Sequence, residues 1–70
     1  MLLTPKLQTL AQYIRKFRED KGLLIRELAE EIGIREFTLI KWEGNKQVPR
    51  YKTEKLKLMK AVPGVERFLY

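Results

Sequence analysis

Apolar residues recur along the chain at helical spacing, in short runs cut by glycine and proline. Leu7, Leu10, Ile14 and Phe17 lie three, four and three residues apart, while Arg15, Lys16, Glu19 and Asp20 fill the other sides. Thr4 offers a capping hydroxyl and Pro5 a first-turn φ, so a helix is predicted from about there to the stop at Gly22. A second helix is predicted from about Ile25 to Ile32, with Leu28, Ala29 and Ile32 on one side and Arg26, Glu27, Glu30 and Glu31 around the rest. Gly33 follows it. A third is predicted from about Arg35 to Glu43, with Ile34, Leu39 and Trp42 turned inward. Gly44 and Asn45 can both take positive φ and end it. The fourth, from about Tyr51 to Ala61, offers Leu56 and Met59 to a core, with Leu58 as a further candidate, and Pro63-Gly64 closes it. Val65 to Tyr70 reads either as a last helical turn or as an extended tail. Strand alternation is absent. The pattern predicts one all-α domain over residues 1–70, a bundle of four to five short helices.

Composition narrows what such a domain does. The 70 residues include no Cys, His or Ser. That excludes disulfides, thiol and serine nucleophiles, imidazole bases and Cys/His zinc sites. Nine carboxylates remain, too little on so short a chain to predict an enzyme, a metal centre or a cofactor. No apolar run approaches the roughly 18 residues of a membrane span, and no secretory leader pattern opens the chain. The expectation is a cytoplasmic binding domain without a membrane role.

Charge points to the partner. The net charge is +6. Residues 1–40 carry seven cations against six anions, whereas residues 41–60 carry seven (Lys41, Lys46, Arg50, Lys52, Lys55, Lys57, Lys60) against Glu43 and Glu54. Five of the six net charges therefore fall within twenty residues, an asymmetry that suits a polyanion and nucleic acid first.

Two short helices about a glycine, followed by a basic loop and helix, suggest a helix-turn-helix at about residues 24–43. The segments Ile14-Arg15-Lys16-Phe17-Arg18-Glu19-Asp20-Lys21-Gly22-Leu23, Glu27-Leu28-Ala29-Glu30-Glu31-Ile32-Gly33-Ile34 and Thr38-Leu39-Ile40-Lys41-Trp42-Glu43, then Pro49, carry a resemblance. In this order and spacing, over roughly residues 10–60, the chain resembles the Cro-type repressor family, also called the XRE family. The resemblance implies a lambda-repressor-like bundle. It implies a small residue, Ala29, where the motif helices cross, a turn at Gly33, and a wedge of Leu28, Ile32, Ile34 and Leu39. Trp42 would pack beneath the third helix, and Arg18 would pair with Glu43.

The resemblance also implies a sequence-specific transcriptional regulator that lays its third helix in the major groove of double-stranded DNA. Position by position, Arg35, Glu36, Phe37 and Lys41 would face base edges. Arg and Lys donate to guanine, Glu accepts from cytosine N4, and Phe touches a thymine methyl. Phosphates would be held by Lys46, Gln47, Arg50 and Lys52, with backbone amides at the start of the second helix.

The chain departs from the family at several positions. Ile25 stands where the family has a polar residue, often Gln, that contacts the DNA backbone. Leu24 and Arg35 replace the usual Ser or Thr caps, and Ile40 replaces an outward polar residue. Phe37, Ile40, Lys41 and Gly44 share one stripe of the third helix. With Leu24 and Ile25 nearby, Phe37 and Ile40 would form an apolar patch. A contiguous patch usually marks a protein interface or a ligand groove. The alternative function is thus a protein-binding module on the same scaffold, anchored by Leu24, Ile25, Phe37 and Ile40. Val65, Phe68, Leu69 and Tyr70 would either form a weak homodimer interface or close the core of a monomer against the first helix.

Overall fold

The computed structural model describes residues 9–69, and these residues are helical with no strand. Helix α1 spans Leu10–Asp20, α2 Ile25–Ile32, α3 Glu36–Glu43 and α4 Lys52–Ala61, followed by a 3-10 turn at Val65–Phe68. The start expected at Thr4-Pro5, with Leu7, lies outside the described residues. The described helix begins after Thr9, and its cap is reciprocal. The Gln12 N–H donates to Thr9 Oγ1 (3.1 Å), and the Thr9 N–H donates to Gln12 Oε1 (3.0 Å). Two of the N-terminal amides are thereby satisfied locally.

α1 stops at Lys21, and Gly22 at φ +68° turns the chain toward α2. α2 stops at Gly33, whose φ of +90° is the left-handed conformation that a glycine enters without a Cβ clash. The Gly33 and Ile34 N–H groups both donate to the Ala29 carbonyl, at 2.8 and 3.0 Å. α3 therefore starts only three residues after α2 ends and packs against it. α1 also packs on α3, and α4 packs on α2.

Every element contributes to one core. Leu10 and Ile14 come from α1, Leu28, Ala29 and Ile32 from α2, Leu39 and Trp42 from α3, Leu58 from α4, and Val62 and Val65 from the chain that follows. Ile34 and Phe17 pack against this cluster half-buried. Within α4 the expected order is corrected. Leu58 is buried and Met59 half-buried, but Leu56 is 46% exposed. Leu58 and Val62 are four residues apart, one helical face, and Leu56 points away from it.

The described part of the C-terminal segment packs back on the core. Val65 is buried, and Phe68 and Leu69 pack half-buried on the core. Tyr13 of α1 donates to the Pro63 carbonyl at 2.7 Å, and its ring lies 5.2 Å from that of Phe68. Gly64 at φ +87° passes directly beneath the Tyr13 hydroxyl, where an added Cβ would collide. Tyr70 lies outside the described residues.

Candidate nucleic-acid interface

The site begins at the junction of α1 and α3. Arg18 donates from Nε to Glu43 Oε2 at 2.8 Å and from Nη2 to Oε1 at 3.1 Å, while its Nη1 donates to the Leu23 carbonyl at 3.0 Å. The Glu43 side chain is 2% exposed and that of Arg18 16%. Arg15 approaches the same carboxylate at 3.9 Å from its exposed position. The hydrogen bond to Glu43 holds the Arg18 guanidinium above even its ordinary high pKa, against a smaller opposing effect of burial. One buried, fork-held carboxylate thus fixes the end of α3 against α1 and the α1–α2 turn.

α3 then presents its other sides to solvent. Arg35 is its N-cap, with no side-chain hydrogen bond to the helix, and is exposed. Glu36 and Phe37 follow in the first turn, both exposed, Phe37 at 63%. Lys41 is half-buried, and its Nζ lies 4.3 Å from the Phe37 ring centroid. Three of the four residues expected to face bases, Glu36, Phe37 and Lys41, therefore lie on this eight-residue helix, and Arg35 precedes it as the cap. Leu39 and Trp42, on the opposite side, are buried.

The basic loop is tethered to this helix. The Lys46 and Gln47 N–H groups donate to the Lys41 carbonyl, at 2.9 and 3.3 Å. Asn45 takes the left-handed turn at φ +61°, whereas Gly44 does not, its φ being −87°. The helix ends where the sequence predicts, and of the two residues able to take positive φ it is Asn45 that does. Gly44 serves space, since a Cβ there would come within 3.1 Å of the Ile40 carbonyl oxygen. Lys46 and Gln47 are exposed in the turn, Arg50 is exposed with its N–H donating to Glu54 Oε1 (3.2 Å), and Lys52 is exposed at the start of α4. Pro49 is buried between them and anchors the loop.

Two sequence expectations change here. The start of α2 carries its own anion. Glu27 Oε1 accepts from the Leu24 N–H at 2.7 Å, so a carboxylate already faces the amides expected to meet phosphate. Glu27 stands three residues after the cap, a spacing that could have revealed this. Ile25 is half-buried against the core, so the expected apolar patch keeps Leu24, Phe37 and Ile40, exposed at 54%, 63% and 44%. Val48 and Tyr51, exposed at 56% and 65%, flank the basic loop and had no sequence signal beyond their polar neighbours. Lys57, one of the α4 cations, is committed to the fold, since its Nζ donates to the Gly33 carbonyl at 3.3 Å.

Comparison with protein-family models, with known proteins and with solved structures finds no match to this chain. Among the described residues no helix is long and apolar enough to cross a membrane, and no cluster of His, Cys, Asp or Glu could hold a metal ion.

Proposed function

We propose that this chain is a sequence-specific double-stranded DNA-binding regulator of the Cro type, with α2, the Gly33 turn and α3 as a helix-turn-helix. α3 enters the major groove. Arg35, Glu36, Phe37 and Lys41 read base edges, and Lys46, Gln47, Arg50 and Lys52 hold the flanking phosphates. The observation that carries the reading is the tether at the Lys41 carbonyl. It joins the outward face of α3 to the Lys46-Gln47 turn through two backbone hydrogen bonds. Groups suited to bases and groups suited to phosphates are thereby held in one fixed relation, as a groove reader requires. The concentration of positive charge after α3 supports the same reading.

The exposure of Leu24, Phe37 and Ile40 favours a second reading, a protein-binding face on α2 and α3. Selection from a random duplex pool at near-physiological salt decides between them. A defined motif, relaxed by Phe37→Ala or Lys41→Ala, supports DNA reading. Retention that is weak, salt-sensitive and without a motif removes it, and leaves the apolar face as the site.

A further inference from the structure

Lys41 and Phe37 are four residues apart on α3, so their side chains leave the helix about 6 Å apart along its axis. Left independent, they would address separated base pairs. They are not independent. The ammonium lies 4.3 Å from the Phe37 ring centroid, and Lys41 is half-buried while Phe37 is 63% exposed. The two contacting groups sit 4.3 Å apart, within the reach of neighbouring base pairs stacked at a rise of ~3.4 Å.

Their chemistries are complementary in a specific way. The open part of the ring is an apolar surface that accepts a methyl group. In the major groove that group is the C5-methyl of a pyrimidine. The ammonium keeps donors that the ring does not use, and its strongest acceptors in the groove are O6 and N7 of guanine. The cation–π contact holds the flexible lysine stem before DNA arrives, which lowers the ordering cost at the reading step.

We infer that Phe37 and Lys41 act as one reading unit for a C5-methylated pyrimidine adjacent to a guanine, thymine in ordinary DNA, the ring taking the methyl and the ring-held ammonium the guanine edge. The inference rests on the DNA-binding reading above and adds which step is read. Glu36, exposed beside Phe37, repels phosphate and is left to a neighbouring cytosine.

The test uses the full chain and the motif enriched from the random pool, in duplexes altered one base at a time. Uracil in place of the thymine removes the methyl alone, and 7-deazaguanine removes N7 alone. Uracil should weaken binding about fourfold, the scale of one methyl-sized apolar group. Deazaguanine in the adjacent pair should weaken it about fivefold, the scale of one hydrogen bond. Phe37→Ala should abolish the uracil penalty and also shrink the deazaguanine penalty, because the ammonium loses its platform. Lys41→Ala should abolish the deazaguanine penalty alone. Both side chains lie on the surface of α3, and circular dichroism of each variant checks that the fold is retained. An enriched motif in which no uracil or deazaguanine substitution matters, or in which the two penalties fall in non-adjacent pairs, overturns the inference while DNA reading stands. A pool without any enriched motif overturns both.

Discussion

Glu43 is the residue on which the orientation of α3 depends. Its carboxylate is 2% exposed and is compensated by a two-pronged contact from Arg18 and a longer one from Arg15. A charge so placed is costly once its partner is gone. Arg18→Met should lower the unfolding free energy by about 3 kcal/mol, measured by urea denaturation, against under about 1 kcal/mol for a surface pair. Arg18→Met combined with Glu43→Leu should recover most of that loss, since no buried charge is left unpaired. The sign of the Arg18 shift fixes the alkaline behaviour. A pKa raised by folding gives stability that is present below the ordinary Arg range and lost only as pH rises through it. The Arg18→Met penalty should therefore be the same at about pH 7 and about pH 9. Periodicity cannot reveal a contact spanning 25 residues. The pair was legible only through the resemblance read from the sequence. Gly44 and Asn45 show the converse limit. The sequence marks a turn, but only the path of the backbone decides which of the two residues becomes left-handed.

The helices follow their hydrophobic spacing closely, and their ends less so. The sequence predicts a start of the first helix at Thr4-Pro5, whereas the described cap is the reciprocal one between Thr9 and Gln12. In α4, Leu56, Leu58 and Met59 fall within four positions and do not by themselves choose a face. The choice comes from Val62 and Val65, which extend the line of Leu58 into the core. The starts of α2, α3 and α4 all lack a side-chain cap from the capping residue, which is Leu24, Arg35 and Tyr51 respectively. Leu24 is 54% exposed, so Leu24→Ser gives up little burial and should raise stability by about 1 kcal/mol, read as a higher urea midpoint at unchanged slope. Arg35→Ser should stabilise by a similar amount through the α3 cap. Under the proposed function it should also weaken DNA binding and relax one base position, because Arg35 is assigned to a base edge. A gain in both stability and affinity would remove Arg35 from the reading set. Gly33→Ala belongs to the same scale. A Cβ there finds room, the nearest atom being Lys57 Cδ at 3.7 Å, so the cost arises from the φ of +90°. A loss of about 1 kcal/mol or more is expected in the same urea assay.

For the molecule as a whole, the bundle and its basic flank were legible, because core spacing and charge are both written along the chain. The details of the face were not, because Ile25 is drawn into the core and Glu27 onto the start of α2 by tertiary and capping contacts. What remains outside is mixed in character, cationic along the loop after α3 and apolar at Leu24, Phe37 and Ile40. Salt separates the contributions of the two. Each phosphate neutralised releases counterions, so under the proposed function the logarithm of the constant for binding duplex DNA should fall linearly with the logarithm of salt concentration. Lys46→Ala, Arg50→Ala and Lys52→Ala should each reduce that slope by about 0.9 and weaken binding to all duplexes alike. Phe37→Ala touches no phosphate in this arrangement. It should leave the slope unchanged and alter only the preference among sequences. Fluorescence anisotropy across a salt series measures both quantities on the same samples. If the three loop variants leave the slope intact, the loop does not hold phosphates. If Phe37→Ala flattens the slope as they do, the ring supports the whole contact with DNA rather than its sequence reading, and the division of labour along α3 and its loop must be redrawn.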